Sequence, residues 1–387
     1  MARKKILIVA GEASGDLHAA NLLKEIRRIN PEIHAFGLGG SRLREAGAEI
    51  WHDLTELAVV GFVEVLKHYG KFREVFFDLL KKTEEYAPDA AILVDYPGFN
   101  LRLAGELKKR GIKVIYFISP QVWAWGRERV SFIRKNIDLL LVLFKFEEIL
   151  YTDGAFNVRF VGHPLLDQVK AEKPKDTFLA ETGFKQTGAT IALLPGSRPR
   201  EVSQLLPVML ETAQIIFKKM PRAQFFICRA STIPRQTIKD ILERAKIDFP
   251  YKVLDDETYN GLAASDFAVV ASGTATLETA ILNKPMVIVY KVSLMTWIMA
   301  KLFVRIPHIG LVNVVAGQKI VPELIQFDAR PKKIAETVLG IMNDQQRMEK
   351  THAELYALKN TLGIPGAGRR AAQEIVKFLD KGPCAEN

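Results

Sequence analysis

Short apolar runs alternate with stretches of helical spacing along this chain, and that alternation constrains the fold most. In the first half, strand-like runs fall at residues 6–10, 32–36, 90–94, 114–118, 139–144 and 158–161. Helical spacing falls at 17–29, 72–86, 101–110 and 127–135. Strands that are apolar throughout, separated by helices, imply a parallel sheet covered on both faces. Gly162-His163-Pro164 and the polar stretch 170–175 interrupt the pattern, which then restarts. Strands are expected again at 190–194, 224–228, 251–254, 267–271 and 286–289. From residue 332 the chain is helical, with Gly363-Ile364-Pro365-Gly366 preceding a last helix. The predicted class is α/β, with two Rossmann-like parallel-sheet domains facing each other across a cleft.

The bulk properties fit this class. A chain of 387 residues allows two or three domains at ~150 residues each. With 48% hydrophobic and 25% charged residues, a globular rather than disordered chain is expected. The net charge of +10 favours an anionic partner, and nucleic acid, anionic lipid and phosphorylated metabolites all satisfy that. Cys228 and Cys384 lie far apart, which indicates neither a disulfide framework nor a cysteine zinc site. The run 6–10 reads as a buried strand and not as a secretory signal. No stretch reaches the ~18 apolar residues that span a bilayer. A cytoplasmic protein, or one bound to a membrane without crossing it, is expected.

The turns after the strands carry the chemistry. Pro195-Gly196-Ser197-Arg198 follows one apolar run, and Ser272-Gly273-Thr274-Ala275-Thr276-Leu277-Glu278 follows another. Both open on the carboxyl edge of a sheet, where ligands of open α/β folds bind. Small residues there leave backbone N–H groups uncovered, a helix start favours an anion, and Arg198 adds a fork suited to phosphate. A diphosphate site follows.

Gly11-Glu12-Ala13-Ser14-Gly15-Asp16 has the place of a dinucleotide loop without its glycine spacing. Its two carboxylates would repel a pyrophosphate. Either it receives a hydroxyl-rich group, or it is a helix start capped near Ser14 or Asp16. Asp95 ends the run 90–94 and is a candidate general base; the competing role is shaping the turn Tyr96-Pro97-Gly98. After 114–118 comes Ser119-Pro120-Gln121-Val122-Trp123-Ala124-Trp125. Gln121 offers an amide there, and Trp123 and Trp125 offer flat faces for a sugar or apolar chain, or a small core of their own.

Residues 279–322 contain no Asp or Glu and carry Lys284, Lys291, Lys301, Arg305 and Lys319. Met295, Trp297, Ile298, Leu302 and Phe303 fall within that stretch, a pattern matching an interfacial membrane segment; a buried helix with lysines at its rim is the alternative. Val60 and Phe62 are the second candidate lipid contact. On chemistry alone Asn313 reads as a turn residue and Glu323 as an acid in the first turn of a helix. No Walker-type loop, HExxH or GxSxG motif is present, and the seven histidines are scattered, so no metal site or cofactor is expected.

In this order, Gly11–Asp16, Gly37-Leu38-Gly39-Gly40, Val94–Asn100, Ser119–Trp125, Val161–Pro164, Leu194–Arg198 and Ser272–Glu278 resemble the lipid-A-disaccharide synthase family over nearly the whole chain. The resemblance implies a metal-independent glycosyltransferase of the GT-B architecture. Residues 1–165 would form the acceptor and lipid-side domain and 166–365 the UDP-sugar donor domain. A C-terminal helix at 366–382 would cross back to the first domain. The implied reaction joins UDP-2,3-diacylglucosamine to 2,3-diacylglucosamine 1-phosphate (lipid X), giving a β-1,6-linked disaccharide 1-phosphate and UDP. The resemblance makes Asp95 and Arg198 the catalytic pair. It places Ser272, Gly273, Thr274, Ala275 and Glu278 in the donor loop, with Asn313 near the donor. It implies peripheral attachment to the inner face of the cytoplasmic membrane. No nucleic acid partner is expected, and a homodimer is compatible. The polar tail 381–387 has no assigned place. Two other readings stay open: another UDP-sugar enzyme of this architecture (an epimerase acting on UDP-N-acetylglucosamine, or a lipid-linked transferase), and a non-catalytic nucleotide-sugar or lipid-binding protein.

Overall fold

The computed structural model describes residues 4–53, 69–123, 128–151, 156–292 and 308–380. The chain forms two compact units, Met1–Pro164 with Leu362–Asn387, and Leu165–Thr361.

The first unit is a seven-stranded sheet with helices between the strands. In chain order it contains β1 (Lys5–Ala10), α1 (Ala13–Ile29), β2 (His34–Leu38), α2 (Ser41–Glu45), β3 (Glu49–His52), α3 (Tyr69–Tyr86), β4 (Ala90–Val94), α4 (Pro97–Lys109), β5 (Lys113–Phe117), α5 (Arg129–Asn136), β6 (Leu139–Val142), α6 (Lys145–Tyr151) and β7 (Val158–Phe160). The strand order is β3-β2-β1-β4-β5-β6-β7, and every pairing is parallel. Residues Ile6–Ala10 and Ala90–Val94 are essentially inaccessible, as strands covered on both faces must be. The order reverses between β1 and β4, the position at which sheets of this type bind ligands.

The second unit repeats the plan with six parallel strands in the order β10-β9-β8-β11-β12-β13. These are β8 (Thr190–Leu194), β9 (Gln224–Arg229), β10 (Tyr251–Asp255), β11 (Phe267–Ala271), β12 (Met286–Tyr290) and β13 (Glu323–Ile325). Here the order reverses between β8 and β11. α7 (Pro199–Lys219) follows β8, α8 (Thr274–Ile281) follows β11, and α9 (Leu311–Ala316) precedes β13.

Among these elements, α2, β3, α6, α9 and β13 were not anticipated from the sequence. Glu323 therefore lies on a strand and not in a first helical turn. Helices α1 and α4 also begin earlier than their apolar spacing indicates, so most of both glycine-bearing loops is helix. Pro97 sits in the first turn of α4, where its missing N–H costs no hydrogen bond.

The C-terminal helix, Ala367–Asp380, belongs to the first unit and buries Ala371, Ala372, Ile375, Val376 and Leu379 in a face that packs on α1. Arg370 secures its entry by donating to the carbonyls of Val161, Pro365 and Ile364. Ile375→Ala is expected to cost about 2–5 kcal/mol in urea unfolding of the full chain. Lys377→Ala, on the exposed side, is expected to change stability by less than about 0.5 kcal/mol.

Candidate active site

In the first unit, the ends of β1 and β4 lie side by side, with Ala10 paired to Val94. The turn after β4 is strained. Asp95 and Tyr96 have φ of 48° and 50°, a left-handed conformation that non-glycine residues enter only when their surroundings hold them there. Three groups hold them. The Asp95 N–H donates to Phe117 O at 3.0 Å. The Asp95 carbonyl accepts from the Tyr116 hydroxyl at 2.6 Å and from Asn100 Nδ2 at 2.7 Å. Tyr116 and Asn100 are fully buried. The Tyr96 ring covers Gly11 so closely that a Cβ there would stand 2.2 Å from a ring carbon; no other residue fits beneath it.

This turn leaves the Asp95 carboxylate largely out of water. Burial, and then the negative Glu12, push its pKa up to about 6, against a hydrogen bond from the Tyr96 backbone. A carboxylate with that value is ionised at neutral pH yet basic enough to take a proton.

The first βα turn differs from the sequence expectation. Glu12 and Ser14 are exposed, but Gly15 lies within α1, buried close to the Val94 carbonyl, and Asp16 is 3% exposed. Neither Gly15 nor Asp16 is open to a ligand. Asp16 instead accepts from the N–H groups of Gly40 (2.7 Å), Arg42 (3.1 Å) and Leu43 (3.2 Å). It caps α2, a helix distant in sequence, and satisfies donors otherwise unpaired at a helix start. After β5, Gln121 is exposed. Trp123 packs edge-on against Phe146 and donates to buried Glu147 at 3.1 Å, so its indole belongs to a local core. Burial pushes Glu147 up to about 7.

In the second unit, β8 and β11 are neighbours, so their two turns open together. Gly196 and Ser197 form the first, and Arg198 is the N-cap residue just before α7. Arg198 is 78% exposed and pairs with Glu201 at 3.3 Å. Glu201 also accepts the Ser197 N–H at 3.4 Å. Its carboxylate thus occupies the place of an anion on this turn. In the second turn, Gly273 has φ 150°, and nothing lies within 4 Å of where its Cβ would be. The backbone is open to close approach there, at the start of α8. Ser272 donates to Ile309 O at 3.3 Å, and Thr274 is exposed. Thr276 is not available to a ligand as expected: it is fully buried and donates to Gly273 O at 2.8 Å. Glu278, raised by burial, accepts from the Tyr259 hydroxyl at 3.2 Å.

Asn313 also differs. It is fully buried, and its amide is saturated. Nδ2 donates to Val321 O (2.9 Å) and Glu323 Oε1 (2.7 Å), and Oδ1 accepts from Ile320 N (2.9 Å) and Val321 N (3.0 Å). Its side chain has no group left for a donor substrate. Glu323 in turn holds the N–H groups of Ile309 and Gly310, each at 3.0 Å. Asn313 therefore acts on the Ser272 turn through Glu323 and Ile309. Glu323 could have been suspected only as a lone acid just after a long acid-free stretch.

Val60, Phe62, Trp125, Met295, Trp297, Ile298, Leu302, Phe303 and the tail 381–387 lie outside the described residues. Among the described residues, no helix is long and apolar enough to cross a membrane, and no three His, Cys, Asp or Glu side chains are grouped to hold a metal ion.

Residues 6–373 match the family model described as lipid-A-disaccharide synthetase. A lipid-A-disaccharide synthase of Syntrophus aciditrophicus is 44% identical over 385 residues, covering 99% of this chain and 100% of that one. One of Geobacter sulfurreducens is 42% identical over 377 residues, covering 97% and 98%. Among solved structures, a UDP-GlcNAc 2-epimerase from Neisseria meningitidis bound to UDP-GlcNAc aligns with a TM-score of 0.61 at 13% identity, covering 98% and 100%. A calicheamicin glycosyltransferase aligns with a TM-score of 0.62 at 13% identity, covering 99% and 100%. At such identity these two establish the shared fold alone.

Asp95→Asn tests the burial of the carboxylate. A raised folded-state pKa means that the neutral acid is favoured by folding. That stability is complete below the unfolded value of about 3.9 and is lost as pH rises through about 6. In thermal melts the variant should unfold a few degrees above the wild type at pH 8, with the gap closing toward pH 4.

Proposed function

This chain belongs to the lipid-A-disaccharide synthase family, and from that premise we propose how its residues divide the work of glycosyl transfer. The enzyme is a glycosyltransferase with two Rossmann-like units. It joins UDP-2,3-diacylglucosamine to 2,3-diacylglucosamine 1-phosphate and releases UDP. The acceptor hydroxyl attacks the anomeric carbon opposite the departing UDP. The new C–O bond forms as the bond to the diphosphate breaks, inverting the sugar carbon. Asp95 takes the hydroxyl proton. Arg198, the Ser197 N–H once Glu201 yields it, and the open backbone of the Gly273 turn stabilise the diphosphate charge. Glu278 accepts from sugar hydroxyls of the donor.

The observation that carries this reading is the Asp95 carboxylate. It is fixed on a strained strand end, half-buried, and pushed up to about 6, which is the equipment of a general base and exceeds what shaping a turn requires. An epimerase shares the fold, but relatives at 44% and 42% identity favour the transferase. The acid-free stretch 279–322 supports peripheral attachment of this enzyme to an anionic membrane face.

Asp95→Asn is expected to reduce turnover by roughly 10²–10⁴-fold while UDP affinity, read by calorimetry, stays unchanged; an equal loss of UDP affinity removes the base from the mechanism. For the wild type, kcat/KM should fall as pH drops below about 6, because protonated Asp95 cannot accept a proton. Arg198→Ala should weaken UDP binding roughly 10–100-fold, as expected for losing a hydrogen bond to a charged group. A loss confined to turnover would place Arg198 on the transition state only.

A further inference from the structure

A groove of about 1400 Å³ runs between α3, α4 and α5 of the first unit, larger than the roughly 300–1,000 Å³ of most small-molecule clefts. Its apolar surface comes from Phe76, Phe77, Leu80, Leu101 and Phe132. Phe77 is 56% and Phe132 40% exposed, unusual for side chains that size unless something covers them. Gly105 keeps the groove open, since a Cβ there would stand 3.3 Å from the Phe132 ring. The rim is basic. Seven of the lining residues are Lys or Arg and three are Glu. Lys81, Arg102 and Lys135 make no ion pair among the described residues.

The groove ends at the catalytic turn. Pro97 and Gly98 line it, and they follow Asp95 and Tyr96 directly. A chain of rings leads the same way: Phe77 meets Phe76, Phe76 meets Phe99, and Phe99 meets Tyr96, at centroid distances of 5.9, 5.4 and 6.1 Å. The geometry points to a seat for an acyl chain of the phosphorylated acceptor, its apolar tail along the ring-lined floor and its anionic end held by the rim cations. This inference rests on the transferase reading for the identity of the acceptor. It is independent of that reading for the chemistry of the groove, an alkyl chain carrying a phosphate. The concave floor and its continuity with Pro97 favour one acyl chain over a flat bilayer surface.

Dodecyl phosphate, titrated by calorimetry below its critical micelle concentration, reads the groove directly. Three variants disable it: Phe77→Ser with Phe132→Ser, Arg102→Glu with Lys135→Glu, and Gly105→Leu. The last fills the groove with a better helix former and so guards against a folding defect. Each should lose roughly tenfold in affinity, the equivalent of about 1.4 kcal/mol. With the long-chain acceptor, KM should rise by a similar factor at nearly unchanged kcat, the pattern of lost ground-state binding. An acceptor carrying butyryl chains should be unaffected by the Phe77/Phe132 and Gly105 variants, whereas the charge-reversal variant should weaken it as well, because its phosphate still meets the rim. Unchanged dodecyl phosphate affinity in all three variants overturns the proposal. So does a loss of sedimentation with phosphatidylglycerol vesicles while that affinity and KM stay the same, since the groove would then face a bilayer. If groove variants lose dodecyl phosphate but the wild type releases no UDP from any acceptor, the groove stands and the transferase reading fails.

Discussion

A parallel strand buried on both faces must hand the chain to a helix at its carboxyl end, and every strand of a parallel sheet ends on the same edge. The rest of this structure depends on that constraint. It brings Gly11 beside Asp95 in one unit and the Ser197 turn beside the Ser272 turn in the other, although the members of each pair are separated by roughly eighty residues of chain. The apolar strands supply rigidity. Their last residues, released from the core, supply chemistry.

The conditions that raise the Asp95 pKa also oppose folding. Two left-handed residues and a desolvated carboxylate are each unfavourable by themselves. Buried hydrogen bonds from Tyr116 and Asn100 to the Asp95 carbonyl, together with the Tyr96 ring seated over Gly11, hold the turn against both. The side-chain bonds go to the backbone carbonyl, and the carboxylate accepts from the Tyr96 backbone. A turn whose only purpose was to connect β4 to α4 would not require a half-buried acid.

Legibility in the sequence followed burial. The strands Ala90–Val94, Thr190–Leu194 and Phe267–Ala271 coincide with apolar runs bounded by Asp, Pro or Ser, because a strand covered on both faces leaves no polar position to blur its ends. β3, with Glu49 and His52 among its four residues, sits at a sheet edge and lacks that signature. β13 has three residues, too few for any periodicity. Helix α2 was missed altogether: its cap comes from Asp16, far away in the sequence, and no local pattern predicts it. The turns after β4, β8 and β11 were visible as small residues after apolar runs. The internal roles of Asn313 and Thr276 were not, because an amide or hydroxyl facing a ligand and one facing the protein's own backbone are the same letter.

Glu201 gives the anion turn a property of its own. An exposed arginine at a helix start, left unopposed, would attract any small anion in the medium. Here a carboxylate already faces Arg198 and the Ser197 N–H, so an incoming anion must displace it and gains only the difference between the two interactions. A lone monovalent ion gains little from that exchange. The proposed diphosphate ligand, which brings more charge and further contacts along the neighbouring turn, would gain enough. On that proposal the internal competitor would turn a general affinity for negative charge into discrimination among anions by valence and reach.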